Sequence, residues 1–284
     1  MACSRLPLNL IKPQAFSRSF TATFASPALL AKRPQLFRDP VGSRSLSTMA
    51  DFNTRPPLVF PAPGKHTATV IFAHGLGDSG HGWASAVENW RRRQRLDEVK
   101  FVLPHAPDRP ITCNGGYRMA GWFDIKRLDG SVDSLRASED QEGTVASAAY
   151  FTQLMKKEVD AGIPASRIVL GGFSQGGAMA LFTGLGGELP LAGVVGLSCW
   201  LPVVDKFLQG MPADKNKADT PVFLGHGNQD PVVRAELGLM SAEKLKELGF
   251  TVTRKIYPMG HSACVEELDD VEEFLHSRLP PTEK

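Results

Sequence analysis

From Pro57 onward, short apolar runs rich in β-branched residues alternate with segments whose apolar residues recur at helical spacing. The runs are Thr67–Ala73, Val99–Leu103, Arg167–Gly171, Leu191–Ser198, Pro221–Gly225 and Thr251–Tyr257. Such alternation predicts parallel strands buried between two layers of helices. Between the last two runs, Leu237, Met240, Leu245 and Leu248 mark one helix, and Gly249 stands where its C-terminal cap belongs. Leu268, Val271, Phe274 and Leu275 mark one face of a final helix. Its first half carries Glu266, Glu267, Asp269, Asp270, Glu272 and Glu273, which reads as a solvated face with charges favoured near the helix start. No repeat period and no long linker follows residue 60. The 284 residues therefore predict one large α/β domain, a doubly wound and mostly parallel sheet with helices on both faces.

Charge divides the chain in two. Residues 1–50 hold seven Lys/Arg (Arg5, Lys12, Arg18, Lys32, Arg33, Arg38, Arg44) against Asp39 alone, a net +6. The other 234 residues carry 25 basic and 29 acidic side chains, a net −4. A mildly acidic body presents no field for phosphates, so no nucleic-acid partner is expected. The basic, Ser/Thr/Ala/Pro-rich stretch reads as a disordered N-terminal extension, a mis-assigned upstream exon or a transit segment. Lys12 and Pro13 interrupt the apolar run a secretory signal needs. Arg44-Ser45-Leu46-Ser47 suits a matrix peptidase, whereas Met49-Ala50 equally reads as an internal start. The division expected is 1–50 as extension and 51–284 as the folded domain. No run approaches the roughly 18 apolar residues of a membrane span. Cys3, Cys113, Cys199 and Cys264 lie far apart, which argues against zinc ribbons and disulfide frameworks and suits a reducing compartment. The histidines show no metal-ligand spacing, so neither metal nor cofactor is expected.

Three strand ends carry unusual turns. His74-Gly75-Leu76-Gly77-Asp78-Ser79-Gly80 follows the first run and spells G-x-G-x-x-G. A dinucleotide site also needs an acid at the end of the second strand. Asp97 and Glu98 instead precede that strand, and it exits through Pro104-His105-Ala106-Pro107. The remaining use of such a loop is to turn backbone N–H groups toward a developing negative charge.

That use requires a nucleophile. Gly172-Phe173-Ser174-Gln175-Gly176 is a G-x-S-x-G after an apolar strand and before Gly177-Ala178-Met179-Ala180. A serine hydroxyl that must stand clear of the strand end needs a tight turn, with glycines two residues before and after removing colliding side chains. The Gln175 N–H then opens a helix and points at the oxyanion. A base and an orienting carboxylate should follow in the order acid then histidine, each just past a strand. Asp230, in His226-Gly227-Asn228-Gln229-Asp230-Pro231, and His261, in Pro258-Met259-Gly260-His261, meet that order. His66, His81, His105 and His276 fail on position, and His74 and His226 sit in turns as backbone-ordering groups. The expected triad is Ser174, Asp230 and His261.

Together with Asn114-Gly115-Gly116, Gly121-Trp122-Phe123-Asp124-Ile125, Glu139-Asp140 and Leu197-Ser198-Cys199-Trp200-Leu201-Pro202, these motifs resemble the acyl-protein thioesterase and lysophospholipase branch of the α/β hydrolases. The resemblance spans about residues 57 to 278, and Ala120 departs from the proline common before the Trp-Phe-Asp segment. It implies an α/β-hydrolase fold without a large lid domain. It also implies a serine hydrolase that removes palmitoyl and related chains from cysteines of proteins such as G-protein α subunits, with weaker lysophospholipid hydrolysis. The oxyanion donors it implies are the backbone N–H groups of Leu76 and Gln175, and it sets the acyl channel beside Trp122 and Trp200. The implied location is the cytoplasm and also the nucleus, with a mitochondrial product if the first 50 residues act in transit. The rival readings are a general carboxylesterase for small or lipid esters, and a hydrolase-fold binding protein that has lost catalysis.

Overall fold

The computed structural model describes residues 55–127, 132–213 and 217–282. The N-terminal extension and its charge lie outside these residues. All six predicted strands form: β2 (Ala68–Ala73), β3 (Val99–Leu103), β6 (Ile168–Phe173), β7 (Gly193–Leu197), β8 (Val222–Gly227) and β9 (Val252–Tyr257). With β1 (Leu58–Phe60) they make a seven-stranded sheet in the order β1-β3-β2-β6-β7-β8-β9. Only β1 runs antiparallel, pairing Leu58 with Leu103 and Phe60 with Phe101. Winding goes outward in opposite directions from β2 and β6. The crevice between these two strands is where open α/β sheets bind ligands.

Both faces of the central strands are covered, which is why β2, β6, β7 and β8 are buried almost throughout, whereas the edge strand β9 carries the exposed Lys255. Along β2, Val70 and Phe72 join Trp90, Phe101 and Val271 on one face. Ile71 and Ala73 join Phe151, Leu181 and Leu245 on the other. The first face is closed by α1 (Ala84–Arg92) and α7 (Val265–Arg278), where the Trp90 indole N–H donates to the Leu268 carbonyl at 3.0 Å. The second face is covered by α3 (Gln141–Asp160), α4 (Gln175–Gly186) and α6 (Ala235–Glu247), with α2 (Val132–Ala137) and α5 (Val204–Gly210) alongside. Every residue of α4 is buried, so it is apolar on all sides rather than on one stripe. Gly249 ends α6 at φ 91°, and the amides of Gly249 and Phe250 return to the carbonyls of Lys246 and Leu245.

Three features depart from the sequence reading. A two-stranded hairpin, β4 (Asp108–Ile111) with β5 (Tyr117–Ala120), follows β3 where no element was expected. Its strands are four residues long, β4 contains Pro110, and its outer face is exposed, so no apolar run marks it. Gly115 and Gly116 turn it at φ 65° and 79°. The acidic half of α7 is not a uniformly solvated face: Glu267 and Glu272 are fully buried. Glu272 lies 3.3 Å from Arg93 and 3.7 Å from Arg95, while the neighbouring Asp269 and Glu273 also pair with those arginines. Finally, the tail beyond α7 clips onto the rim opposite the crevice. Arg167 donates to the Pro280 carbonyl, and Thr282 donates its amide and hydroxyl to Glu98.

Candidate active site

The turn between β6 and α4 carries Ser174 at φ 54°, ψ −122°, a region a residue with a Cβ rarely adopts. The surrounding glycines make this possible. A Cβ on Gly172 would strike the Gly176 backbone, and one on Gly176 would strike the Ala73 and His74 carbonyls. The Ser174 amide is held by the Leu197 carbonyl at 2.8 Å, and its own carbonyl accepts the Ala178 amide at 2.9 Å to start the helix. The hydroxyl is thereby set at the carboxyl end of the sheet on a residue 9% exposed.

Two loops bring partners to it. His261 Nε2 lies 2.9 Å from Ser174 Oγ, and His261 Nδ1 lies 2.7 Å from Asp230 Oδ2. The carboxylate accepts at Nδ1–H, which leaves Nε2 to accept the serine proton. Asp230 is fixed independently: its Oδ1 accepts the Val232 and Val233 amides at 2.8 and 2.9 Å. Burial alone would raise its pKa. Hydrogen bonds from His226 and His261 and from the Val233 amide outweigh that and hold it well below the usual carboxylate range. Its side chain has no exposed surface and that of His261 is 17% exposed, so the pair is shielded without being sealed. His226 donates from Nε2 to the Val233 carbonyl at 2.8 Å, which orders the loop carrying the acid.

The glycine-rich loop after β2 runs beside this serine. A Cβ on Gly75 would lie 3.4 Å from Ser174 Cβ. His74 braces the loop, donating from Nδ1 to the Gly75 carbonyl at 2.7 Å and accepting the Ala106 amide on Nε2 at 3.1 Å. Burial lowers its basicity, in keeping with a neutral ring. Leu76 is thus carried next to the elbow, and Gln175 is the first residue of α4, whose N–H has no acceptor within the helix. The glycines of this loop serve its shape: Gly77 takes φ 79°, and a Cβ on Gly80 would strike the Leu103 carbonyl.

Trp122 and Trp200 are both buried and belong to the same apolar cluster. Trp122 is fully buried, donates its indole N–H to the His74 carbonyl at 2.8 Å, and packs on Phe151 with ring centroids 4.8 Å apart. No part of its ring is exposed, and its indole braces the loop that carries His74. Trp200 follows β7 and meets Phe123 edge-on at 6.1 Å. Sequence reasoning missed the Gln175 side chain. Its Oε1 accepts the Trp122 amide at 2.7 Å and its Nε2 donates to the Phe123 carbonyl at 2.5 Å, tying the Trp-Phe-Asp loop to the residue beside the nucleophile. It missed Asp140 as well, which accepts the amides of Asp124 and Gly143 and so joins that loop to the start of α3. Their loop partners lie 16 to 53 residues away and left no local signal, although Asp140 stands three residues before Gly143, as a helix cap does.

Chemically, the arrangement offers an aligned hydroxyl, a base whose tautomer is fixed, and amides beside the hydroxyl. Those are the parts required for acyl transfer. Among the described residues no group of three or more His, Cys, Asp or Glu is placed to hold a metal ion, and no helix is long and apolar enough to cross a membrane.

Residues 56–279 match the model of the phospholipase/carboxylesterase family. The chain belongs to that family. Within the phospholipase/carboxylesterase family it falls in the acyl-protein thioesterase branch. It is 58% identical to acyl-protein thioesterase 1 of Neurospora crassa over 233 residues, 82% of this chain and 95% of that protein. Against acyl-protein thioesterase 1 of Gibberella zeae the identity is 60% over 227 residues, 79% of this chain and 96% of that one. Among solved family structures, Zea mays acyl-protein thioesterase 2 superimposes with a TM-score of 0.69 at 34% identity, covering 78% of this chain and 98% of that chain. Arabidopsis thaliana SOBER1 gives 0.69 at 31% identity over 75% and 99%.

Proposed function

We propose that this protein is an acyl-protein thioesterase that hydrolyses palmitoyl and related fatty acyl thioesters on protein cysteines. Ser174 Oγ attacks the acyl carbonyl carbon while His261 Nε2 takes its proton. The Leu76 and Gln175 amides hold the oxyanion, each contributing on the order of 10²–10³ in rate. The intermediate collapses, the C–S bond breaks, and His261 returns the proton to the leaving thiolate. Water, deprotonated by His261, then clears the acyl-serine and releases the fatty acid. Asp230 keeps the imidazole in the required tautomer and stabilises its cation throughout.

The observation that carries this reading is the unbroken line from Ser174 through His261 to Asp230, at 2.9 and 2.7 Å. The thioester assignment draws on the high identity to acyl-protein thioesterases over nearly the whole folded body. Burying an acyl tail at about 0.8 kcal/mol per methylene supplies affinity for long chains over short ones. The substrates we assign are S-palmitoylated proteins such as G-protein α subunits, with lysophospholipids as weaker ones. We assign the enzyme to the cytoplasm and nucleus through initiation at Met49, and a mitochondrial product to initiation at Met1. Purified protein tested on an S-palmitoylated peptide and a short-chain ester decides the substrate class. Preference for the palmitoyl thioester is expected, whereas a higher kcat/KM on the short ester identifies a general carboxylesterase.

A further inference from the structure

Glu267 is a carboxylic acid that the chemistry above does not use, and its setting is unusual. It is the third residue of α7, six residues after His261, and it is fully buried. A glutamate at this position of a helix ordinarily reaches back to the capping residue. Here the side chain turns inward against β8 instead. Its Oε1 occupies the space that a Cβ on Gly225 would need, so the glycine makes room for the carboxyl. Neither oxygen has a hydrogen-bond partner among the described residues.

The carboxyl sits where two catalytic loops are rooted. Gly225 lies in β8, whose exit leads through Gly227 to Asp230. That exit is laced to the His261 loop: Asn228 donates to the Tyr257 carbonyl at 2.9 Å and Gln229 to the Met259 carbonyl at 3.1 Å. Glu267 therefore touches, from one point, the helix that follows the base and the strand that precedes the acid.

We propose that Glu267 is a positioning residue: its neutral carboxyl group keeps the start of α7, and with it His261, seated on the strand leading to Asp230, and its ionisation unseats them. An anion with no donor among the described residues and no exposed surface is costly at such a place. The surroundings offer it no relief. From β9, Tyr257 gives its hydroxyl to Asp270 rather than to Glu267, at 2.7 Å, and Lys255 also bonds Asp270, at 2.6 Å. On α7 itself Asp270 is a negative neighbour. After β7, Cys199 is a thiol that burial keeps protonated, and Cys264 at the helix start is likewise raised. Burial first, then the charge of Asp270, pushes Glu267 up to about 8. Its folded value thus exceeds the unfolded one near 4.5, so its contribution to seating is full below the lower value and is lost as pH rises through the higher.

The inference rests on the triad reading of the site, and the test separates the two. The full-length protein is labelled with a fluorophosphonate probe from about pH 6 to about pH 10, and the second-order rate at Ser174 is followed. Wild type is expected to fall by about tenfold per pH unit above the Glu267 transition and to recover on return to pH 7. E267Q, which keeps the shape without the charge, should label at the wild-type rate at pH 7 and hold that rate through the alkaline range. E267L serves the same purpose if the amide disturbs folding. A wild-type profile that stays level, or an alkaline fall that persists in folded E267Q and E267L, overturns the proposal. So does loss of labelling at pH 7 in both folded variants. Absence of Ser174 labelling from wild type at every pH overturns the triad reading itself.

Discussion

Ser174 sits in a conformation that neither a longer nor a branched neighbour would permit, and its partners approach from chain positions 56 and 87 residues further on. Ser174→Ala is expected to lower turnover by roughly 10⁴-fold or more and leave the melting temperature near wild type. Wild-type rates in purified Ser174→Ala protein would disprove the nucleophile. Asp230→Asn should cost about 10⁴-fold, because the amide presents the imidazole with the wrong partner at Nδ1. Asp78 and Asp124 are the other nearby carboxylates. Asp124 accepts from the Thr112 amide and hydroxyl at 2.7 and 2.6 Å, so it belongs to the hairpin rather than to His261. An active Asp230→Asn enzyme beside an inactive Asp124→Asn one would reassign the acid. The lowered pKa of Asp230 also sets a pH dependence. Its folded value lies below its unfolded value near 3.8, so it stabilises the protein above that pH and the contribution fades as pH falls below it. Wild-type stability measured by urea titration should decline below about pH 4, and Asp230→Asn should decline less. Equal slopes in the two proteins would show that Asp230 is not held as an anion.

Secondary elements were legible in proportion to how much apolar surface they bury. The strands β2, β3, β6, β7 and β8 showed in the sequence because burial on both faces leaves few polar residues to blur the run. The edge strand β9, with Arg254 and Lys255 in it, showed by its β-branched residues, and Gly249 marked the end of α6. The hairpin β4–β5 did not show, since four-residue strands with exposed faces and an internal Pro110 lack that signature. The triad order was legible because each member follows such a strand. Acid burial in α7 was not, because the groups that decide it, Arg93, Arg95 and Gly225, lie on other elements. The same holds for Asp140, whose carboxylate both caps α3 and receives the Asp124 amide. Asp140→Ala should cost about 1–2 kcal/mol. That corresponds to a drop of several degrees in melting temperature, roughly 2–4 °C per kcal/mol in a domain of this size. It should also raise KM for long-chain substrates more than it lowers kcat, because the Trp122–Asp124 loop loses its tether. An unchanged melting temperature would remove Asp140 from the account.

Across the whole molecule, the charge break near residue 50 coincides with the start of the family match at residue 56. A chain beginning at Met49 is accordingly expected to melt at the full-length temperature and to keep full esterase activity. A marked loss of stability would show that the first 48 residues belong to the fold. Cell fractionation with a C-terminal tag addresses location, and exclusive recovery in mitochondria would refute the cytoplasmic assignment.

The nucleophile precedes its base by 87 residues. At about 5–20 residues per second, translation delivers Ser174 roughly 4–17 s before His261. Until then the serine has no proton acceptor, although the loop carrying Asp230 has already been made. Chains that stop before His261 are therefore hydrolytically silent, so activity can appear only once that residue has been made.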